Sequence, residues 1–184
     1  MKKTTLIFGL GTLFFFGLGG GLIIEYIQQQ RFTELLGRGM SLHHQLVLGI
    51  LAGLGGSAIA LFLISRQFFK KERVYYSELI SRLELDMWGM TFLSICAGIG
   101  EEIFFRAGIQ PLLGIWWTAV IFVGLHGYLN PRNVRISIYG IILVGVIAIF
   151  GYLFEYAGLF SAITAHALFD LVLFWKMDKY REKE

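Results

Sequence analysis

An all-α, polytopic transmembrane bundle of about six spans is the fold this sequence predicts, and three observations predict it. Of the 184 residues, 56% are hydrophobic and only 16% charged, with a mean hydropathy of +0.66; a soluble domain carries about 25% charged residues. The apolar residues gather into runs approaching the roughly 20 residues that cross a hydrocarbon core. Glycine is abundant, 23 of 184, against a usual share of about 7%. Gly17-x-x-x-Gly21 and Gly49-x-x-x-Gly53 have the small-residue spacing that lets membrane helices approach closely. One compact helical domain fits in this length, with no separate soluble domain.

The first apolar run, about 5–27, follows Lys2 and Lys3. It is longer than the 7–15 residues of a signal-peptide core and no A-x-A-like site follows, so it reads as a retained anchor. A polar loop, 28–44, holds the solvated His43 and His44 and leads to a second span at about 45–64. Residues 65–86 alternate Arg66, Lys70, Lys71, Glu72 and Arg73 with Phe68, Phe69, Tyr75, Leu79, Ile80 and Leu83. That pattern suits an amphipathic helix lying on the membrane surface. A third span runs from about Met87 to Leu113 and a fourth from about Ile115 to Tyr128; the last two cover about 136–154 and 158–175. Glu25 and Glu155 fall near span ends and read as interfacial. Cys96, the single cysteine, cannot form an internal disulfide and reads as a small buried side chain.

Orientation follows from the loop cations. With the N-terminus inside, every Lys and Arg except Arg31, Arg38 and Arg106 falls on the inner side. Both termini are therefore expected in the cytoplasm of a multi-pass cell-membrane protein. The net charge of +3 reflects this bias and not nucleic-acid binding, because the basic residues flank spans. The chain divides into 1–86 (two spans and the surface segment), 87–175 (a four-span core) and 176–184 (a charged cytoplasmic tail).

Glu101, Glu102 and Arg106 lie inside the third span. A charge at the bilayer centre costs roughly 2.5–3.5 kcal/mol on insertion scales, so these must be paired or face a wet cavity. Glu102 and Arg106, four apart, share a helix face and can neutralise one another; Glu101 is left without an obvious partner. At 1.5 Å per residue, Glu101 lies roughly 20 Å beyond Trp88, and His126 roughly 14 Å beyond Trp117. His166 and Asp170 sit one turn apart in the sixth span. Three helices thus bring carboxylates and imidazoles to similar depths. Taken singly, each residue has a structural reading: a histidine can bond a neighbouring helix, and a buried ion pair can lock helices together. Phe105 and Phe122 read as packing residues or cavity walls.

The spacings Glu101-Glu102-x-x-x-Arg106, Phe122-x-x-x-His126 and His166-x-x-x-Asp170 occur in that order, each on a different hydrophobic helix. In this the chain resembles the CPBP family of CAAX proteases and bacteriocin-processing enzymes, also called Abi. The continuation Arg106-Ala-Gly-Ile-Gln-Pro-Leu-Leu is similar too, and the resemblance covers roughly 87–175. It implies an intramembrane glutamic endopeptidase that needs neither metal nor other cofactor and acts on a membrane-associated or secreted peptide. By that resemblance Glu101 is the base that activates water, His126 shares the water, and His166 and Asp170 occupy the oxyanion site. Glu102 and Arg106 hold the helix in register. Many family members have Asn where this chain has Asp170. An ionised Asp cannot donate to an oxyanion; it can instead accept a hydrogen bond from His166 and keep that imidazole oriented or charged, and a protonated Asp170 donating directly is the alternative.

Two other readings compete. Glutamate and two histidines could bind zinc, although no H-E-x-x-H is present and Arg106 disfavours a dication. A non-catalytic immunity factor or small transporter could use the buried charges for protons or a ligand.

Overall fold

Apolar runs in a bilayer can satisfy their backbone N–H and C=O groups only internally, and all regular structure among the described residues is helical. The structure, a computed structural model, describes residues 1–181. Helix α1 is Lys3–Ile27, its last turn π-helical; α2 is the short Phe32–Leu36; α3 is Leu42–Ile64. A 3₁₀ turn, Gln67–Phe69, leads into α4, Lys70–Ser81. Helix α5 runs unbroken over 87–113: Met87–Glu102 is α-helical, Ile103–Ile109 π-helical and Gln110–Leu113 α-helical again. Then follow α6, Ile115–Leu125, α7, Val134–Tyr156, and α8, Leu159–Arg181.

By length and composition α1, α3, α7 and α8 can cross a membrane. Helix α5 is as long but carries three charges. The fourth expected span, 115–128, differs from its expectation. Helix α6 has only 11 residues, about 16 Å at the helical rise, or half of a ~30 Å core. It stops because Gly127 takes φ +80°, closing a Schellman turn in which the Tyr128 N–H donates to the Val123 carbonyl at 3.2 Å. The chain then turns through mostly exposed residues, with Tyr128 and Leu129 half-buried. Ser137 Oγ bonds the Asn130 backbone at both N–H and C=O, and the Tyr128 carbonyl lies directly against Gly140, where any side chain would collide with it.

Helix α8 is the hub, touching α3, α4, α5 and α7, while α1 covers α5 and α6 pairs with α7. Gly49 and Gly53 allow the α3–α8 crossing: a Cβ on them would stand 2.6 Å from the Ser161 carbonyl and 2.5 Å from that of Ala165. The Gly17/Gly21 spacing does not work this way, since both positions face open space. Gly20 makes the approach instead. Its Cβ would stand 2.7 Å from the Ile103 carbonyl oxygen and 2.8 Å from Phe104 Cα, because the π turn of α5 bulges toward α1. Helix α4 is tied to α8 by Ser77 Oγ donating to the Met177 carbonyl at 2.8 Å. Asp86 caps α5, accepting from the Gly89 N–H at 2.7 Å, a bond that holds its carboxyl below the usual carboxylate range.

His43 and His44 are exposed, but they occupy the first turn of α3 and not a loop. Glu25 and Glu155 are exposed and Cys96 is buried. The expected tail at 176–184 is helical to 181 as the end of α8; residues 182–184, with Lys183, lie outside the described residues.

Candidate active site

Glu102 anchors the polar centre. It ends the first α-helical stretch of α5 and is fully buried. Its Oε2 accepts from Arg106 Nε at 3.1 Å and its Oε1 bonds His166 Nδ1 at 2.8 Å. Arg106, also 0% exposed, donates to the Ile147 carbonyl at 3.1 Å and reaches Gln110 Oε1 at 3.5 Å. Gln110 in turn donates to the Gly151 carbonyl at 3.0 Å. The π turn begins directly after Glu102, where single wide turns recur in functional sites. One charged cluster therefore joins α5 to both α7 and α8.

His166 sits between two carboxylates. Nδ1 faces Glu102, and Nε2 lies 3.4 Å from Asp170 Oδ2. A carboxylate oxygen accepts, so both ring nitrogens facing one is the arrangement of an imidazolium. Glu102, Arg106, His166 and Asp170 then balance at two negative and two positive charges, which is how buried charge is tolerated.

Glu101 and His126 stand apart from that network. Glu101 Oε2 is buried without a hydrogen-bond partner among the described residues, and His126 Nε2 lies 3.5 Å from it. The other nitrogen of His126, Nδ1, bonds the Phe122 carbonyl at 2.8 Å; a carbonyl only accepts, so Nδ1 carries the hydrogen and Nε2 is turned to Glu101. His126 is not sealed as its expected depth implied. Its side chain is 38% exposed, because it caps the end of α6 where the helix stops. Phe122 holds the imidazoles apart, stacking on His126 with centroids 4.3 Å apart and meeting His166 edge-on at 5.5 Å. Phe105 is buried and packs against Phe122 at 5.0 Å, behind the ring that separates the imidazoles.

A cavity of about 300 Å³ is lined by Glu101, His126 and Asp170, with apolar walls that include Leu93 and Leu173. A pocket of about 60 Å³ adjoins it among Phe122, His126, His166 and Asp170. Tyr76 and His126 also line a wider vestibule with Lys71 and Asn130 at the basic end of the bundle. All six expected polar residues converge here. Sequence reasoning missed Gln110 and the tyrosines Tyr76, Tyr128 and Tyr139 that line the cavity. Gln110 was findable as a lone amide four residues past Arg106; Tyr76, on a surface helix, left no signal. Among the described residues no group of three His, Cys, Asp or Glu side chains could hold a metal ion.

Membrane-length helices around a charged centre that opens on a cavity define a helical membrane protein with a polar site inside the bundle. Residues 83–172, just under half of the chain, match the model of the family described as type II CAAX prenyl endopeptidase Rce1-like, and this segment is similar to the CPBP family. It is 31% identical over 83 residues to the uncharacterized protein YpbD of Bacillus subtilis (strain 168), an alignment covering 44% of this chain and 41% of that relative. The chain thus matches less than half the length of that relative. No solved structure matches it significantly.

Proposed function

We propose that this protein is a glutamic endopeptidase working inside the membrane on a membrane-associated peptide, with water activated between Glu101 and His126. The observation that carries this reading is the free Glu101 Oε2, buried at the cavity and 3.5 Å from His126 Nε2. That separation is long for a direct hydrogen bond, which leaves the Glu101 carboxylate able to turn to a water held in the adjoining cavity beside His126. Glu101 takes a proton from the water as its oxygen attacks the scissile carbonyl, and returns it to the departing amine, the two-way proton duty expected of a positioned carboxylate. The Glu102–Arg106–His166–Asp170 network is the rigid frame, with Asp170 orienting a charged His166. Substrate reaches the site from the basic end, which faces the cytoplasm, and the segment 87–175 forms the catalytic core against which 1–86 packs.

The test is cleavage of a single-span peptide in liposomes by purified protein. Wild type cleaves it, while Glu101→Gln, which keeps shape and polarity but removes the base, is folded and inactive. More than a few per cent residual activity overturns the base assignment.

A further inference from the structure

The protease reading requires hydrogen-bond donors for the oxyanion, and the three motifs supply at most one, His166 Nε2 at the small pocket. Arg106 directs its N–H groups to Glu102, Gln110 and the Ile147 carbonyl and is shut away from the cavity. His166 is 3% exposed, with Nδ1 bonded to Glu102, which leaves Nε2, 3.4 Å from Asp170 Oδ2, as its single free donor. His126 gives its Nδ1–H to the Phe122 carbonyl. Glu101 and Asp170, as carboxylates, only accept. The remaining side-chain donors on the cavity are the hydroxyls of Thr12, Tyr76, Tyr128 and Tyr139.

Of these four residues, only Tyr128 also lines the small pocket formed by Phe122, His126, His166 and Asp170. Its hydroxyl has no hydrogen-bond partner among the described residues, and the residue is half-buried where it lines both the cavity and the small pocket. The residue is held firmly. The Schellman turn fixes its N–H, its carbonyl rests on Gly140, and its ring lies between Tyr76 and Tyr139 at centroid distances of 5.5 and 5.7 Å. A phenol is protonated at neutral pH and donates without needing a second group to charge it.

The geometry points to Tyr128 as a further catalytic residue, its hydroxyl donating to the oxyanion of the tetrahedral intermediate. As water oxygen bonds the carbonyl carbon, the C=O π pair moves onto oxygen, where the phenol O–H meets it; the water proton goes to Glu101. When the C–N bond breaks, the pair returns to the carbonyl and the amine takes the proton from Glu101. This rests on the protease reading, and it explains how a chain with Asp170 in the last motif manages without an amide donor there.

The experiment is Tyr128→Phe, which keeps the ring and its packing and deletes only the hydroxyl. Turnover is measured in liposomes beside wild type and Glu101→Gln. Binding of the uncleaved substrate peptide is measured with Tyr128→Phe in the Glu101→Gln background, and binding of a peptide aldehyde, whose hydrate mimics the tetrahedral species, with Tyr128→Phe alone. Loss of one oxyanion donor lowers kcat by about 10²–10³-fold. The expected result is a loss of that size with KM unchanged, weaker aldehyde binding and unaltered peptide binding. A kcat within threefold of wild type overturns the proposal. So does an equal loss of peptide and aldehyde binding, which marks Tyr128 as a wall of the cavity. Glu101-dependent cleavage by wild type separates these failures from failure of the protease reading; a wild type that cleaves nothing removes that reading and this one with it.

Discussion

Arg106 makes three polar contacts and is fully buried. Its removal leaves Glu102 charged, buried and paired only with His166. Breaking one side of such a pair costs about 3–5 kcal/mol, so Arg106→Ala is expected to lower the yield of folded protein as well as activity. Glu102→Gln with Arg106→Gln removes both charges and recovers yield better than the single change, without recovering activity. Size-exclusion profiles of the detergent-extracted proteins decide this, and normal yield of Arg106→Ala would show that the pair is not structural. Asp170 gives a second prediction at this scale. If it orients a charged His166, Asp170→Asn cuts turnover and alters the pH–rate profile. Full turnover with an unchanged profile would instead show that the position itself donates.

At the scale of elements, the contact between α1 and the π turn of α5 sets the rotation of Glu101 and Glu102. Gly20 meets backbone there, at Ile103 and Phe104, and backbone cannot swing aside as a side chain can. Overpacking of a tight contact costs typically 1–3 kcal/mol. Gly20→Val is therefore expected to shift the π turn, with loss of thermal stability and of activity, whereas Gly17→Ala and Gly21→Ala, facing open space, leave both unchanged. Melting curves and cleavage assays on the three variants check this. Equal tolerance at all three positions would mean the helices are not so closely seated. The spacing of small residues correctly marked Gly49 and Gly53 but misplaced the contact on α1. A G-x-x-x-G pattern reports only which residues share a face; which face a neighbour covers depends on that neighbour.

For the molecule as a whole, the vestibule at Lys71 and Asn130 lies at the end where the basic residues gather, which is the end expected to face the cytoplasm. On a Cys96→Ala background, Lys70→Cys should react with a membrane-impermeant maleimide only in inside-out vesicles, and Glu155→Cys only in right-side-out ones; the reverse pattern inverts the topology. Activity is expected to survive EDTA and phenanthroline. Loss on chelation, restored by a stoichiometric metal, would put a zinc mechanism in place of the glutamic one.

The sequence alone determined that the chain is a bundle of apolar helices and which residues carry charge within it. It also paired Glu102 with Arg106 and His166 with Asp170. Those conclusions need only composition and the helical period, which place residues four apart on one face whatever surrounds them. Only the tertiary structure decided the rest. It set the π turn after Glu102, the early end of α6 that opens His126 to the cavity, and the bond from His166 to Glu102. It also brought three tyrosines from α4, the α6–α7 turn and α7 together. Each of these depends on the relative depth and rotation of helices distant in sequence, and that is fixed by close packing between them, which no local spacing encodes.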